Sequence, residues 1–139
     1  MRSEKLKVKR QLTLYTLYLI FAISLFGACS NKDSRKAARL AAEQYYGYLI
    51  DGDVEKYVKA IHDYDKLSED YRSQLHDMFA QYLDNEQKMR GGLIQARALH
   101  DTIVDDLYAH ILMEVTFGDS TQEQVFLPLI LTDKGWKLK

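Results

Sequence analysis

The chain has 139 residues, 47% hydrophobic and 28% charged, which supplies one core but hardly two. A single Pro and seven Gly exclude collagen-like or linker-dominated material, and a single Cys excludes both an intrachain disulfide and zinc spacings of the finger type. The formal net charge of −1 hides an uneven distribution. Basic residues Arg2, Lys5, Lys7, Lys9 and Arg10 precede an apolar run from Leu12 to Phe26 that no acid interrupts, so residues 1–28 read as a targeting segment. The rest of the chain then holds 14 Lys and Arg against 19 Asp and Glu, a net charge of −5. That balance argues against nucleic acid as a partner, because phosphate binding needs clustered Lys and Arg on an exposed face.

The apolar run ends in Leu25-Phe26-Gly27-Ala28-Cys29, which resembles the lipobox of bacterial lipoproteins. The resemblance implies cleavage before Cys29, lipid on its thiol and a place in the cell envelope, at the outer membrane in preference to the inner. Each buried CH₂ contributes about 0.8 kcal/mol, so two or three acyl chains would hold the protein to the membrane essentially permanently. The alternative is an uncleaved signal anchor, for which Leu12 to Ala28 is near the lower length limit and carries Tyr15 and Tyr18. Residues 29–33 then form a lipidated tether, at most about 15 Å long when extended, and 34–139 form one domain. Lys32, Arg35, Lys36 and Arg39 follow the lipid site with only Asp33 opposing them. They would face anionic headgroups at about 1 kcal/mol each; an ordinary solvated helix face is the other reading.

The first helix is expected to start at Asp33 or Ser34, either of which can cap free N–H groups, and to run to about Ile50. Asp51-Gly52-Asp53 breaks the chain, Gly52 suiting a left-handed cap and Asp53 the start of a second helix. In that second helix Val54, Tyr57, Val58 and Ile61 form one amphipathic stripe. Ser68 caps a third helix with Glu69 and Asp70 in its first turn, and Tyr71, Leu75, Met78, Phe79, Tyr82 and Leu83 form its predicted buried face. Gly91-Gly92 stops it. From there the period moves toward 2. Leu93 to Leu99 can form a strand, and Tyr108 to Phe117 is the clearest one, with Ala109, Ile111, Met113, Val115 and Phe117 on one face. Gly118-Asp119-Ser120 turns the chain into Gln124 to Thr132, and Asp133-Lys134-Gly135 turns it again into Trp136-Lys137-Leu138. Pro128 predicts an edge or bulge.

Helices first and an antiparallel sheet afterwards imply an α+β layer: three N-terminal helices packed on a curved antiparallel β-sheet. The Ala37 to Tyr48 helix, Leu49-Ile50-Asp51-Gly52-Asp53 with Tyr57, Gly91-Gly92-Leu93-Ile94, the long hairpin and Lys134-Gly135-Trp136-Lys137 together resemble the nuclear-transport-factor-2-like (NTF2-like, cystatin-like) cone. Within that fold they resemble a domain of unknown function (4878) found in lipoproteins of Bacteroides-type bacteria. The resemblance covers almost the whole chain after Cys29 and admits a homodimer through the sheet face.

Enzymes on this cone place an Asp or His at the wall of an apolar cavity, where a shifted pKa suits proton transfer. His62, Asp63, His76, His100, Asp101 and His110 are the candidates. Three histidines precede Asp, but neighbours on a regular helix or strand do not face one another, so exposed polar pairs are the expectation. His110 alternates with apolar residues on the strongest strand, and the outer sheet face is its expected place. No Gly-x-Ser-x-Gly elbow, phosphate loop or His-Glu-x-x-His is present. Tyr45, Tyr48, Tyr57 and Tyr82, with His110, are the candidates to line a pocket, ordinary helix-to-sheet packing being the alternative for the tyrosines. The sequence favours a non-catalytic binding module with no metal, cofactor or catalytic residue, meeting a small ligand or an envelope protein. A small lyase or isomerase using a cone Asp or His is the second reading.

Overall fold

The structure, a computed structural model, describes residues 7–9 and 30–139. The apolar run and Cys29 lie outside the described residues. Two compact units divide the chain, residues 1–34 and 35–139. The first is described only at the helical residues 7–9 and at the start of helix α1, Ser30–Ile50.

Helix α1 begins at Ser30, so Asp33 and Ser34 sit inside the helix rather than capping it. Asp33 still lies in the first turn, where the positive end of the helix favours an acid. Ala38, Ala42, Tyr45, Tyr46 and Leu49 are its buried residues, a stripe at helical spacing. Gly52 takes a left-handed φ of 74° and its N–H donates to the Leu49 carbonyl at 3.1 Å, which closes α1. Asp53 caps helix α2, Val54–Lys59, by accepting the Lys56 N–H at 3.1 Å. A 3-10 turn, Tyr64–Lys66, leads to Ser68, whose hydroxyl accepts the Tyr71 N–H at 3.3 Å and caps helix α3, Glu69–Arg90.

Helix α3 corrects one expectation. None of its residues is fully buried, and Tyr71 and Met78 are half exposed. Leu75, Phe79, Tyr82 and Leu83, with Ala80 beside them, are the side chains packed against the core. At about 100° per residue Tyr71 and Met78 fall on one flank of that stripe, so only part of the apolar face in the sequence finds a partner.

Four strands follow: β1, Leu93–Val104; β2, Tyr108–Phe117; β3, Gln122–Thr132; and β4, Gly135–Leu138. They form one antiparallel sheet in chain order. The inward row of β2 is buried throughout, as its alternation predicts, and packs with Leu127, Leu129, Trp136 and Leu138. Strand β1 is five residues longer than its alternation suggests. Its register slips between Ala98 and His100, a bulge at Leu99 that breaks the period of 2. Helix α1 satisfies that bulge: Arg39 Nη2 donates to the Leu99 carbonyl at 2.7 Å, and Glu43 Oε1 accepts the Ala98 N–H at 2.9 Å. Pro128 lies in β3, one residue beyond the last pair with β4. Its carbonyl accepts the Lys139 N–H at 3.1 Å. The N and O of one strand residue point to the same side, so its missing donor faces the place where β4 ends, an edge in all but name.

The β1–β2 connection turns through Asp105 and Asp106, both left-handed at φ 52° and 53°, with the Leu107 N–H on the Val104 carbonyl at 3.1 Å. This is a type I′ turn, which Asn-Gly fits better than two aspartates. The double substitution Asp105→Asn, Asp106→Gly should raise the unfolding free energy by about 1 kcal/mol. Urea titration of both forms measures it, and an unchanged midpoint would show that the turn is not strained.

Candidate functional site

The outer edge of β4 is sealed by the chain leaving α2. Leu138 N–H donates to the Ala60 carbonyl at 3.0 Å, and His62 N–H donates to the Leu138 carbonyl at 2.7 Å. With β4 fixed beside α2, an open groove of about 620 Å³ forms between α1, α2 and β4. One wall is α1, which presents Ala37, Leu40, Ala41 and Tyr48 at helical spacing, with Gln44 among them. The opposite walls carry four cations, Lys56 and Lys59 from α2 and Lys134 and Lys137 from β4 and its turn. Tyr45 and Trp136 form the floor, and no acidic residue lines this groove.

The aromatic floor is fixed by a hydrogen bond. Tyr45 Oη donates to the Trp136 carbonyl at 2.5 Å, and the Tyr45 and Tyr48 rings lie 6.2 Å apart. Burial, with the Tyr48 phenol adding to it, raises the Tyr45 pKa, so the phenol stays neutral and keeps its proton to donate. Lys56 Nζ stands 5.8 Å from the Tyr48 ring centroid and pairs with Asp53 at 2.8 Å. Lys59 pairs with Glu55 at 2.5 Å. These hydrogen bonds raise the pKa of both ammonium groups, which therefore remain charged. Lys134 and Lys137 make no ion pair among the described residues. A second groove of about 400 Å³ adjoins the first, shares Lys59, Lys134 and Lys137, and adds Asp63, Asp65 and Asp133.

The residues that the sequence proposes for a pocket part company here. Tyr45 and Tyr48 meet in the groove. Tyr57 is buried in helix packing, its ring 4.7 Å from Phe79, and burial pushes its pKa up to about 12. Tyr82 is half-buried against the core, with its pKa raised by burial first and by Glu86 second. His110 is exposed and pairs across the sheet with Thr102 and Pro128. The four lysines do not stand out as a set in the sequence. Their signal was faint: Lys56 and Lys59 are spaced to share a helix face, but only tertiary structure brings β4 to them.

The basic cluster after residue 29 divides. Arg35 Nε and Arg39 Nε lie 2.8 Å and 3.2 Å from the carboxylate of Asp101, whose side chain is 13% exposed, so both arginines tie α1 to β1. Lys32 and Lys36 are exposed and make no ion pair among the described residues. The same pairing takes Asp101 away from His100. His62 Nε2 lies 3.5 Å from Asp63 Oδ2, at a turn where Asp63 is left-handed at φ 58°. His76 and Asp77 are 3.9 Å apart. Both pairs are on the surface. Among the described residues no polar or charged residue is buried, and no group of three or more His, Cys, Asp or Glu is placed to hold a metal ion. The groove offers cations and apolar surface.

No protein-family model matches the sequence, and no curated protein matches it. Among solved structures the fold is similar to a Campylobacter jejuni protein described as an NTF2-like transpeptidase, whose crystal structure was determined at 2.00 Å resolution. The TM-score is 0.56 at 19% sequence identity, over 70% of this chain and 93% of that one. The likeness shows an NTF2-like fold.

Proposed function

We propose that this chain is a lipid-anchored envelope protein whose NTF2-like domain binds its ligand without transforming it. The observation that carries the binding half is the open groove between α1, α2 and β4, floored by the Tyr45 and Trp136 rings and edged by lysines. The transpeptidase activity in the neighbour's description belongs to that protein. A peptidyl transfer through a thiol would need a cysteine in the domain, and the only Cys of this chain is Cys29, ahead of it.

The anchoring half rests on the sequence from Arg2 to Cys29. Among the described residues no helix is long and apolar enough to cross a membrane. Lipid at Cys29 supplies the attachment, with α1 following directly. The test is metabolic labelling of the full chain in a bacterial host. Labelled palmitate should enter the wild type and be lost from Cys29→Ala, and the variant should also migrate at the size of the unprocessed precursor. Equal labelling of the two would sink the lipoprotein reading and favour an uncleaved anchor.

A further inference from the structure

We propose that the open length of β3, Gln122 to Leu127, pairs edge to edge with the same segment of a second copy of this chain, antiparallel about a two-fold axis at Gln124. Strand β3 runs from Gln122 to Thr132, but β4 covers only its far end, from Leu129 to Thr132. The other exposed edges of the sheet are closed by the fold itself. Arg39 and Glu43 plug β1 at its bulge, and the chain at Ala60 and His62 seals β4. Among the described residues nothing bonds to the backbone of Gln122 to Leu127 on the side away from β2. Such an edge is a template for another strand, and proteins blunt theirs with Lys, Pro or a bulge. This stretch contains none of the three, and its Phe126 is 73% exposed.

The hydrogen bonds at the two ends of β3 fix which groups face outward. Phe117 N–H donates to the Thr121 carbonyl at 2.9 Å and Leu131 N–H to the Leu107 carbonyl at 2.8 Å, so the odd-numbered residues address β2. Pro128, whose carbonyl accepts the Lys139 N–H, addresses the opposite side. The register with β2 is unbroken between these points, so Gln122, Gln124 and Phe126 each direct an N–H and a C=O at the open edge. An antiparallel copy centred on Gln124 sets Gln122 opposite Phe126 and Gln124 opposite its mate. Each of these pairs exchanges two N–H···O bonds, and none of the outward groups is left over. A slip by one residue would set outer-face side chains against inner-face ones. A slip by two would bring in Pro128, whose carbonyl Lys139 already holds, or Ser120 in the left-handed turn. The segment thus fits its own copy, whereas a longer foreign strand runs into Lys139. Charge agrees, because Glu123 is the only charged residue of the stretch and Arg90 holds it at 2.7 Å. The edge therefore has no free charge to select a charged peptide or to repel a copy, and the Gln amides both donate and accept. The contact is small beside a permanent interface, which sets the expected dissociation constant in the micromolar range.

The full chain in mild detergent should sediment as a dimer at about 100 μM and dissociate on dilution through the micromolar range. Gln124→Pro removes an N–H that points away from β2, so the β2–β3 ladder is spared. It should weaken the dimer at least about tenfold, with circular dichroism confirming the fold. Gln124→Lys sets like charges opposite each other and should weaken it about fivefold. Mixing that variant with Gln124→Glu should restore pairing, which damage to the fold could not do. Gln124→Cys in oxidised membranes should give a disulfide-linked dimer beyond any that the wild type gives, since facing Cα atoms in such a pair lie about 5.5 Å apart. His110→Lys, on the outer face of the sheet, should leave the dimer within about twofold of the wild type. A dimer indifferent to both Gln124→Pro and Gln124→Lys overturns the proposal. One lost to His110→Lys overturns it in favour of pairing face to face. A wild type that sediments as a monomer at about 100 μM overturns it as well, and leaves the edge to a foreign strand.

Discussion

Replacing Trp136 with alanine should lower the unfolding free energy by about 3–5 kcal/mol, a large part of what a domain of this size possesses. Trp136 is 5% exposed and belongs to the central cluster with Tyr45, Leu129 and Leu138. It pairs across the sheet with Leu131. The alanine would leave a cavity bounded by α1 on one side and β3 on the other, two elements already fixed by other contacts and so poorly able to collapse into it. Tyr45→Phe isolates the hydrogen bond to the Trp136 carbonyl and should cost only about 1 kcal/mol, because the ring stays in place. Urea unfolding of the two variants separates packing from hydrogen bonding. A Trp136→Ala protein that unfolds at the wild-type midpoint would mean that β4 does not close the core, and the groove would then have no floor.

What the sequence could and could not reveal follows from how far each signal reaches. Caps and stripes are local, so Asp53 and Ser68 were legible as helix starts and the alternation from Ala109 to Phe117 as a strand face. Strand β1 read as ending at Leu99 because the bulge there inverts the alternation, and the side chains that satisfy the bulge, Arg39 and Glu43, lie some 60 residues away in sequence. The pairing of Arg35 and Arg39 with Asp101 is hidden for the same reason, since nothing near them in sequence announces that carboxylate. Tyr45 and Tyr48 stand out singly in the sequence as aromatic residues, whereas the lysines beside them become a set only when β4 reaches α2. Tyr57 and Tyr82 were equally conspicuous, and packing among the helices claimed them. The fold was thus more legible than the site, since elements follow from short-range periodicity and the groove from pairing between distant ones.

Gly118→Ala should destabilise the domain by about 2–3 kcal/mol, although Gly118 is exposed and surface substitutions usually stay within about 0.5 kcal/mol. The reason lies in how α3 ends. Gly91 takes a left-handed φ of 77° and caps the helix, with its own N–H on the Gln87 carbonyl and the Gly92 N–H on that of Glu86. The cap then docks on the β2–β3 turn, backbone against backbone. Gly118 N–H donates to the Gly92 carbonyl at 2.9 Å and Asp119 N–H to the Arg90 carbonyl at 2.8 Å. A Cβ on Gly118 would stand 2.4 Å from the Gly91 oxygen and 2.9 Å from its Cα, and none of these atoms belongs to a side chain that could swing away. The turn would have to move off the helix end and take both hydrogen bonds with it. Arg90 would be strained as well, since its guanidinium covers the Phe117 ring at 3.4 Å while binding Glu86 and Glu123. Gly47→Ala is the matched control. Gly47 lies within α1 with nothing within 4 Å of its added Cβ, so alanine there should stabilise by about 0.5–1 kcal/mol through helix propensity alone. Thermal melts of the two variants should therefore move in opposite directions. A Gly118→Ala protein that melts with the wild type would show that α3 and the β2–β3 turn are not in backbone contact.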